Sequence, residues 1–354
     1  MKYIKLFENH SQYESYAGGG GMLKPNVSHC VSENEVHYNP KTWADEYLTI
    51  ESLEDDNTIY LKASNSSVTK TISASTDNGA NWTEYTSSTG DSGTTLAMLN
   101  KGNRLLVKGK NIKYSTEYSI YNQFKSTGQF EVKGNIMSLI SGDSFSNADE
   151  STATYTFNQL FYQCTGLTSA ENLILPATKL PESCYSYMFS GCTSLTTAPE
   201  LPATTLAQDC YEHMFAGCTS LTTAPELPAT TLASSCYFYM FDGCASLTTA
   251  PELPAETISM QCYCGMFQGC TALTAAPELP AAKLKYSSYG EMFNGCTNLN
   301  YIKCLATDIS ASYCTNNWVS GVAANGTFVK ASSMTSWKTT GASGIPSGWA
   351  VQDT

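Results

Sequence analysis

Arginine is almost missing from this sequence: Arg104 is the only one among 354 residues, and the formal net charge is -12. Nucleic acid and anionic membrane surfaces are thereby disfavoured as partners, because phosphate contacts need clustered Lys and Arg. Long apolar runs are absent too. No stretch approaches the ~18–20 consecutive apolar residues of a membrane-spanning helix, so membrane insertion is not expected. The opening, Met1-Lys2-Tyr3-Ile4-Lys5-Leu6-Phe7, has lysines but no apolar run of signal-peptide length, and the usual secretion route is not expected. Histidine is sparse, at four residues, with no H-E-x-x-H and no C-x-x-C. No glycine-rich phosphate loop, nucleophile elbow or spaced carboxylate pair is present either. The expectation is therefore a protein that is not an enzyme, with no catalytic residues, cofactor or metal. His29, Cys30 and His37 could reach one metal across a hairpin, but alternation along two strands explains them equally well.

What is present is a thinly spread apolar share, 42% hydrophobic against 14% charged, diluted by Ser, Thr, Asn and Gly. That composition predicts a mainly β fold with many turns. Residues 1–44 read as a separate N-terminal attachment segment. It holds a short alternating strand before residue 8, a capping box at Ser11-Gln12-Tyr13-Glu14, a break at Gly18-Gly19-Gly20-Gly21 and a hairpin around Ser32-Glu33-Asn34-Glu35. From 45 to 135, β-like runs at 47–50, 58–61, 69–74, 82–85, 94–99 and 105–108 alternate with turn residues and predict a small β-sandwich-like domain. Residues 116–135 read as a connection. Within the domain, Ser75-x-Asp77-x-Gly79-x-x-Trp82 matches an Asp-box, a hairpin turn fixed by its Asp side chain and remote from catalysis.

A 26-residue repeat dominates the remainder. Cys192, Cys218, Cys244, Cys270 and Cys296 fall 26 apart, and near-copies of one unit begin at Tyr185, Tyr211, Tyr237 and Tyr263. A degenerate early copy holds Phe161, Cys164 and Leu167, and a late one keeps Cys314 and Gly321 with Trp318 in place of Met. Such atypical ends fit capping repeats. Residues 136–330 thus predict a solenoid, and 331–354, with Trp337 and Trp349, a C-terminal cap. Inside one unit, Cys210 with Met214 and Tyr211 with Phe215 are four apart and predict a short helical turn ended by Gly217. The run 221–227 predicts a stacking strand that Pro225, lacking an N–H, must interrupt in every coil. The repeated cysteines read as buried thiols or as disulfides, with thiols favoured because Val322 replaces one partner.

At Met214-Phe215-Ala216-Gly217-Cys218-Thr219-Ser220-Leu221, and in each copy, the chain resembles the BspA-type leucine-rich repeat. That family occurs in bacterial and protozoan surface proteins linked to adhesion, so the resemblance implies a leucine-rich-repeat solenoid and a surface that binds. A second resemblance, at Lys24-Pro25-Asn26-Val27-Ser28-His29-Cys30, Glu35-Val36-His37-Tyr38-Asn39-Pro40 and Gly344-Ile345-Pro346-Ser347-Gly348-Trp349, is to proteins encoded by gut Bacteroidales and their phages or prophages. It implies a virion fibre or decoration protein that meets the host surface, the alternative being a bacterial cell-surface adhesin. The implied partners are a host-surface glycan or protein, and other virion proteins through residues 1–44. A homo-oligomer is left open.

Two sets of residues stand out as candidate binding positions. Tyr187, His213, Phe238 and Tyr239 vary between copies whose flanks repeat, so they need not pack and are expected on an exposed face. Simple drift of a solvent face explains the variation equally well. Glu200, Glu226, Glu252 and Glu278 recur once per coil between two prolines. They predict an acidic stripe, either solvated or neutralised by divalent cations or a basic partner.

Overall fold

In the computed structural model the described residues are 45–148, 153–335, 337 and 341–354, together with the backbone of three short strands nearer the start. Those strands, β1 (Lys5–Phe7), β2 (Ser28–Ser32) and β3 (Glu35–Asn39), form an antiparallel sheet in the order β1-β2-β3. The capping box and the glycine run lie outside the described residues. Among the described residues the fold is mainly β, and no sheet closes into a barrel.

Ten strands follow. They are β4 (Leu48–Ser52), β5 (Asn57–Ala63), β6 (Thr71–Ser75), β7 (Thr83–Thr86), β8 (Thr94–Leu99), β9 (Arg104–Gly109), β10 (Ser115–Glu117), β11 (Ile120–Ser126), β12 (Phe130–Asn135) and β13 (Leu167–Ile174). They make a four-stranded sheet, β10-β11-β5-β8, and a six-stranded one, β13-β12-β4-β9-β6-β7. Period-two alternation places Ile59 and Leu61 of β5, and Leu105 and Val107 of β9, in one core with Phe124. The stretch 116–135, expected as a connection, instead supplies β11 and β12. Its short alternations are interrupted by Gly128 and by paired polar residues, which hides them from a pattern search. β12 pairs antiparallel with β4 on one side and parallel with β13 on the other, so the six-stranded sheet runs directly into the repeats.

The 26-residue units stack so that equivalent residues of successive units lie side by side. The segment expected as a helical turn is not a helix. In unit 209–217, the N–H groups of Tyr211, His213 and Phe215 donate to the carbonyls of Cys236, Phe238 and Met240 in the next unit, at 2.8–3.0 Å. Those of Glu212, Met214 and Ala216 donate three residues back within their own unit, at 3.1–3.2 Å. Every fourth residue, Asp209, His213 and Gly217, is left-handed, with φ 55°, 51° and 73°. The same set recurs at Ser183, Tyr187 and Gly191 and at Ser235, Tyr239 and Gly243. A left-handed non-glycine residue costs about 1–2 kcal/mol. Here overlapping turns and inter-unit bonds satisfy each of these amides, which offsets that cost. A four-residue geometric repeat returns Cys210 and Met214, or Tyr211 and Phe215, to the same side, as a helix would.

The inward positions form columns. Phe161, Phe189, Phe215, Phe241, Phe267 and Phe293 stack with centroids 5.5–5.8 Å apart and planes within 6°. Tyr185, Tyr211, Tyr237 and Tyr263 make a second column at 5.8–5.9 Å. Each fully buried ring contributes roughly 1.5–3 kcal/mol through area alone. At one end, Phe124 of β11 stacks on Phe161, and Tyr114 on Phe157. At the other, Trp318 stacks on Tyr289 and on Trp337, and Trp349 Nε1 donates to the Ala323 carbonyl at 2.7 Å. Beside the phenylalanines, the thiols of Cys192, Cys218, Cys244, Cys270 and Cys296 donate to the carbonyls of Phe161, Phe189, Phe215, Phe241 and Phe267 at 2.9–3.2 Å. The described cysteines are free and buried. Burial pushes their thiols up, to about 12 at Cys296, so they stay protonated donors.

Prolines decide where the other side of the stack becomes a sheet. Units with Pro at the strand centre share only isolated parallel bridges, such as Thr223 with Thr249. Where Pro is missing, regular strands appear: β13 before the first proline-bearing unit, and β14 (Tyr301–Cys304), β15 (Thr327–Lys330) and β16 (Ala350–Asp353) after the last.

Candidate functional site

The varied residues of the repeats converge. Tyr187, His213 and Tyr239 occupy the central left-handed position of three successive units, with φ between 51° and 55°. Their rings stack: Tyr187 on His213 at 4.5 Å and 8°, and His213 on Tyr239 at 5.2 Å and 6°. Phe238, one residue earlier, packs edge-on against both His213 (5.7 Å) and Tyr239 (4.5 Å). All four are partly exposed. The next unit has Gly265 at this position, and the Tyr239 ring lies over it. A Cβ on Gly265 would sit 2.5–2.6 Å from Tyr239 Cδ1 and Cζ and nearer still to Cε1. Crossing that gap lets the Tyr239 hydroxyl donate to Glu291 Oε2 in the unit beyond.

The column continues onto the N-terminal sheets. Tyr118, in the turn between β10 and β11, packs edge-to-face against Tyr187 (5.8 Å) and Tyr155 (5.5 Å), and its hydroxyl donates to Glu212 Oε2. Tyr162 meets Tyr187 at 6.5 Å and Tyr121 at 6.0 Å. Sequence reasoning missed Tyr118 and Tyr121, because they lie in the stretch read as a connection and carry no repeat signal of their own.

Carboxylates flank these rings in two groups. Asp209 and Glu212 lie beside Tyr118 and Tyr187, with Glu182 near Asp209, and Asp242 and Glu291 lie beside His213 and Tyr239. Burial raises the Asp209 carboxyl above its ordinary range, and Glu212 and Glu182 add to that rise. Burial also raises Asp242; the nearby His213 acts against the rise. His213 Nδ1 is 3.5 Å from Glu212 Oε1 and is buried without a hydrogen-bond partner. The charge is one-sided here. Residues 180–282 include no Lys or Arg; of their nine Asp and Glu, four, Glu200, Glu226, Glu252 and Glu278, belong to the other side of the units.

Glu200, Glu226, Glu252 and Glu278 lie elsewhere, on the proline-edged side of the units, and all four are exposed. Shallow grooves there are lined by Pro199, Glu200, Pro225 and Glu226 and, further along, by Pro251, Glu252, Pro277 and Glu278. Lys303, which replaces the proline of the last unit, pairs with Glu278 at 2.8 Å. Among the described residues, no group of three or more His, Cys, Asp or Glu is placed to hold a metal ion. The side chains of His29, Cys30 and His37 lie outside the described residues.

The Asp-box is a turn. Asp77 accepts from the Asn81 N–H at 2.9 Å and from Ser75 Oγ at 2.7 Å, while Gly79 takes φ 87° against the Trp82 ring. These bonds pull the Asp77 carboxyl down to about 2. Trp82 is enclosed by Tyr47 and by Lys108, whose Nζ lies 4.1 Å from the ring centroid. No family model, curated protein or solved structure matches the chain.

Proposed function

We propose that this chain is a non-enzymatic recognition protein whose units over 136–330 form a leucine-rich-repeat solenoid, carried on a phage particle as a fibre or decoration protein. In this reading the sheets of 45–135 begin the solenoid's aromatic columns, 331–354 closes them, and 1–44 attaches the chain to other virion proteins. Its target is a molecule on the surface of the host cell. The observation that carries the reading is the contrast between columns. Inward positions repeat the same Cys, Tyr, Met and Phe in unit after unit, whereas the outward left-handed position changes from Tyr to His to Tyr to Gly to Glu and gathers the partly exposed rings. Identical columns are what packing requires; a varied, half-exposed aromatic column is what recognition uses.

Flow cytometry of fluorescently labelled protein on gut Bacteroidales cells tests this directly. The parent should label a subset of strains, and the triple variant Tyr187→Ser, His213→Ser, Tyr239→Ser should lose at least tenfold in labelling. Equal labelling by parent and variant, or none by the parent on any strain, counts against the proposal. Mass spectrometry of particles purified after lysis should find the chain in the virion; recovery only from the cell envelope would favour a cell-surface adhesin instead.

A further inference from the structure

The aromatic face narrows the chemistry of its partner. Sugars stack on open ring faces, and here the three stacked rings largely cover one another. His213 lies between Tyr187 and Tyr239, and the far side of Tyr239 rests on the backbone at Gly265. Tyr118 and Tyr162 stand nearly perpendicular to the Tyr187 ring, with centroids 5.8 and 6.5 Å away. The stack is flanked at both ends by carboxylates. Asp209 and Asp242 are half-buried and raised by that burial, so the face holds negative charge that water solvates poorly. The units that carry it, 180–282, include no Lys or Arg, and Lys125, beside Tyr162, is bound to the carbonyls of Tyr162 and Gln163.

We infer, on the proposed reading of this face as a recognition surface, that its occupant is a protein segment bearing lysine or arginine side chains rather than a neutral glycan. The apolar stems of such residues fit along the ring edges of Phe238 and Tyr187, and their cationic heads reach Asp209 with Glu212 at one end and Asp242 with Glu291 at the other. Charge complementarity of this kind sets orientation and association rate, and it weakens with salt.

The test uses the full chain and fluorescein-labelled decalysine, followed by anisotropy in 50 mM and 500 mM NaCl. Surface ion pairs are worth about two- to fivefold each, so the variant Asp209→Asn, Glu212→Gln, Asp242→Asn, Glu291→Gln should lose roughly 15- to 600-fold in affinity. A control of equal charge change on the proline-edged side, Glu200→Gln, Glu226→Gln, Glu252→Gln, Glu278→Gln, should lose less than about threefold. Equal losses in both variants would show that net charge alone attracts the peptide, and no loss in the first would show that these carboxylates do not bind it. Either result overturns the inference. Cell labelling separates it from the broader reading. If the carboxylate variant still labels cells while the Tyr187, His213 and Tyr239 variant does not, the face recognises something uncharged and only the cationic inference fails. If both variants label like the parent, both readings fail.

Discussion

Adding one methyl group at Gly265 should disturb the aromatic column more than the backbone. Its φ of 62° is the left-handed value that Tyr187, His213 and Glu291 adopt at the same position of their units, so Gly265→Ala meets a conformational cost of about 1 kcal/mol that this fold tolerates elsewhere. The steric cost is separate. The new Cβ would sit 2.5–2.6 Å from two carbons of the Tyr239 ring, which must retreat by about 1 Å to reach van der Waals contact. Retreat toward His213 is blocked, because His213 is itself 4.5 Å from Tyr187. The ring must therefore swing out, losing the stack on His213, about 0.5–1.5 kcal/mol, and the Glu291 hydrogen bond, about 0.5–1.5 kcal/mol. Total destabilisation is about 2–4 kcal/mol. Urea unfolding of four proteins, with Gly265→Ala made alone and in a Tyr239→Ser background, isolates the coupling. In the Tyr239→Ser background the cost should shrink to about 1 kcal/mol. Equal cost in both backgrounds would refute the placement of Tyr239 over Gly265.

Further outcomes follow from the same geometry. Native protein treated with iodoacetamide at pH 9 should leave its repeat cysteines unmodified, since burial keeps them as thiols, and should gain a mass increment for each cysteine only after unfolding; rapid native labelling would contradict the column. Asp77, drawn down to about 2, stabilises its turn above the ordinary aspartate value near 4, and that contribution fades as pH falls from about 4 toward 2. The amide signals of Gly79 and Asn81 should shift over that range, and no shift above pH 2 would show that the Asp77 bonds do not form. Deleting 331–354 uncovers Trp318 and the edge of β15, so the truncated protein should aggregate or melt well below the parent. An unchanged Tm would show that this segment covers nothing essential.

Some of this was legible in the sequence, and the reasons differ by element. The strands of 45–109 announce themselves by alternation between turn residues, and the missing N–H of Pro199, Pro225, Pro251 and Pro277 explains the interrupted ladder. The turn segment reads as a short helical turn in the sequence because its geometry recurs every four residues, and over two turns that pattern of buried Cys, Tyr, Met and Phe cannot be told from a 3.6-residue period. Variation between copies singled out Tyr187, His213, Phe238 and Tyr239 together. It could not reveal Tyr118, which reaches Tyr187 from a turn 69 positions earlier, nor that the rings cover one another's faces. Both depend on how the units stack, not on any local pattern. The Glu200 to Glu278 set shares the same period but lies on the proline-edged side, and period alone does not say which side a residue takes.

Hydrogen exchange on the protein alone and on the protein saturated with envelope from cells it labels tests the central claim, that the varied column is where this chain meets its partner. The account predicts slowed exchange confined to 182–190, 208–216 and 234–242, with adjoining protection at 116–120 around Tyr118. Protection confined to the proline-edged segments at 199–202, 225–228, 251–254 and 277–280, or to 45–109, would contradict it.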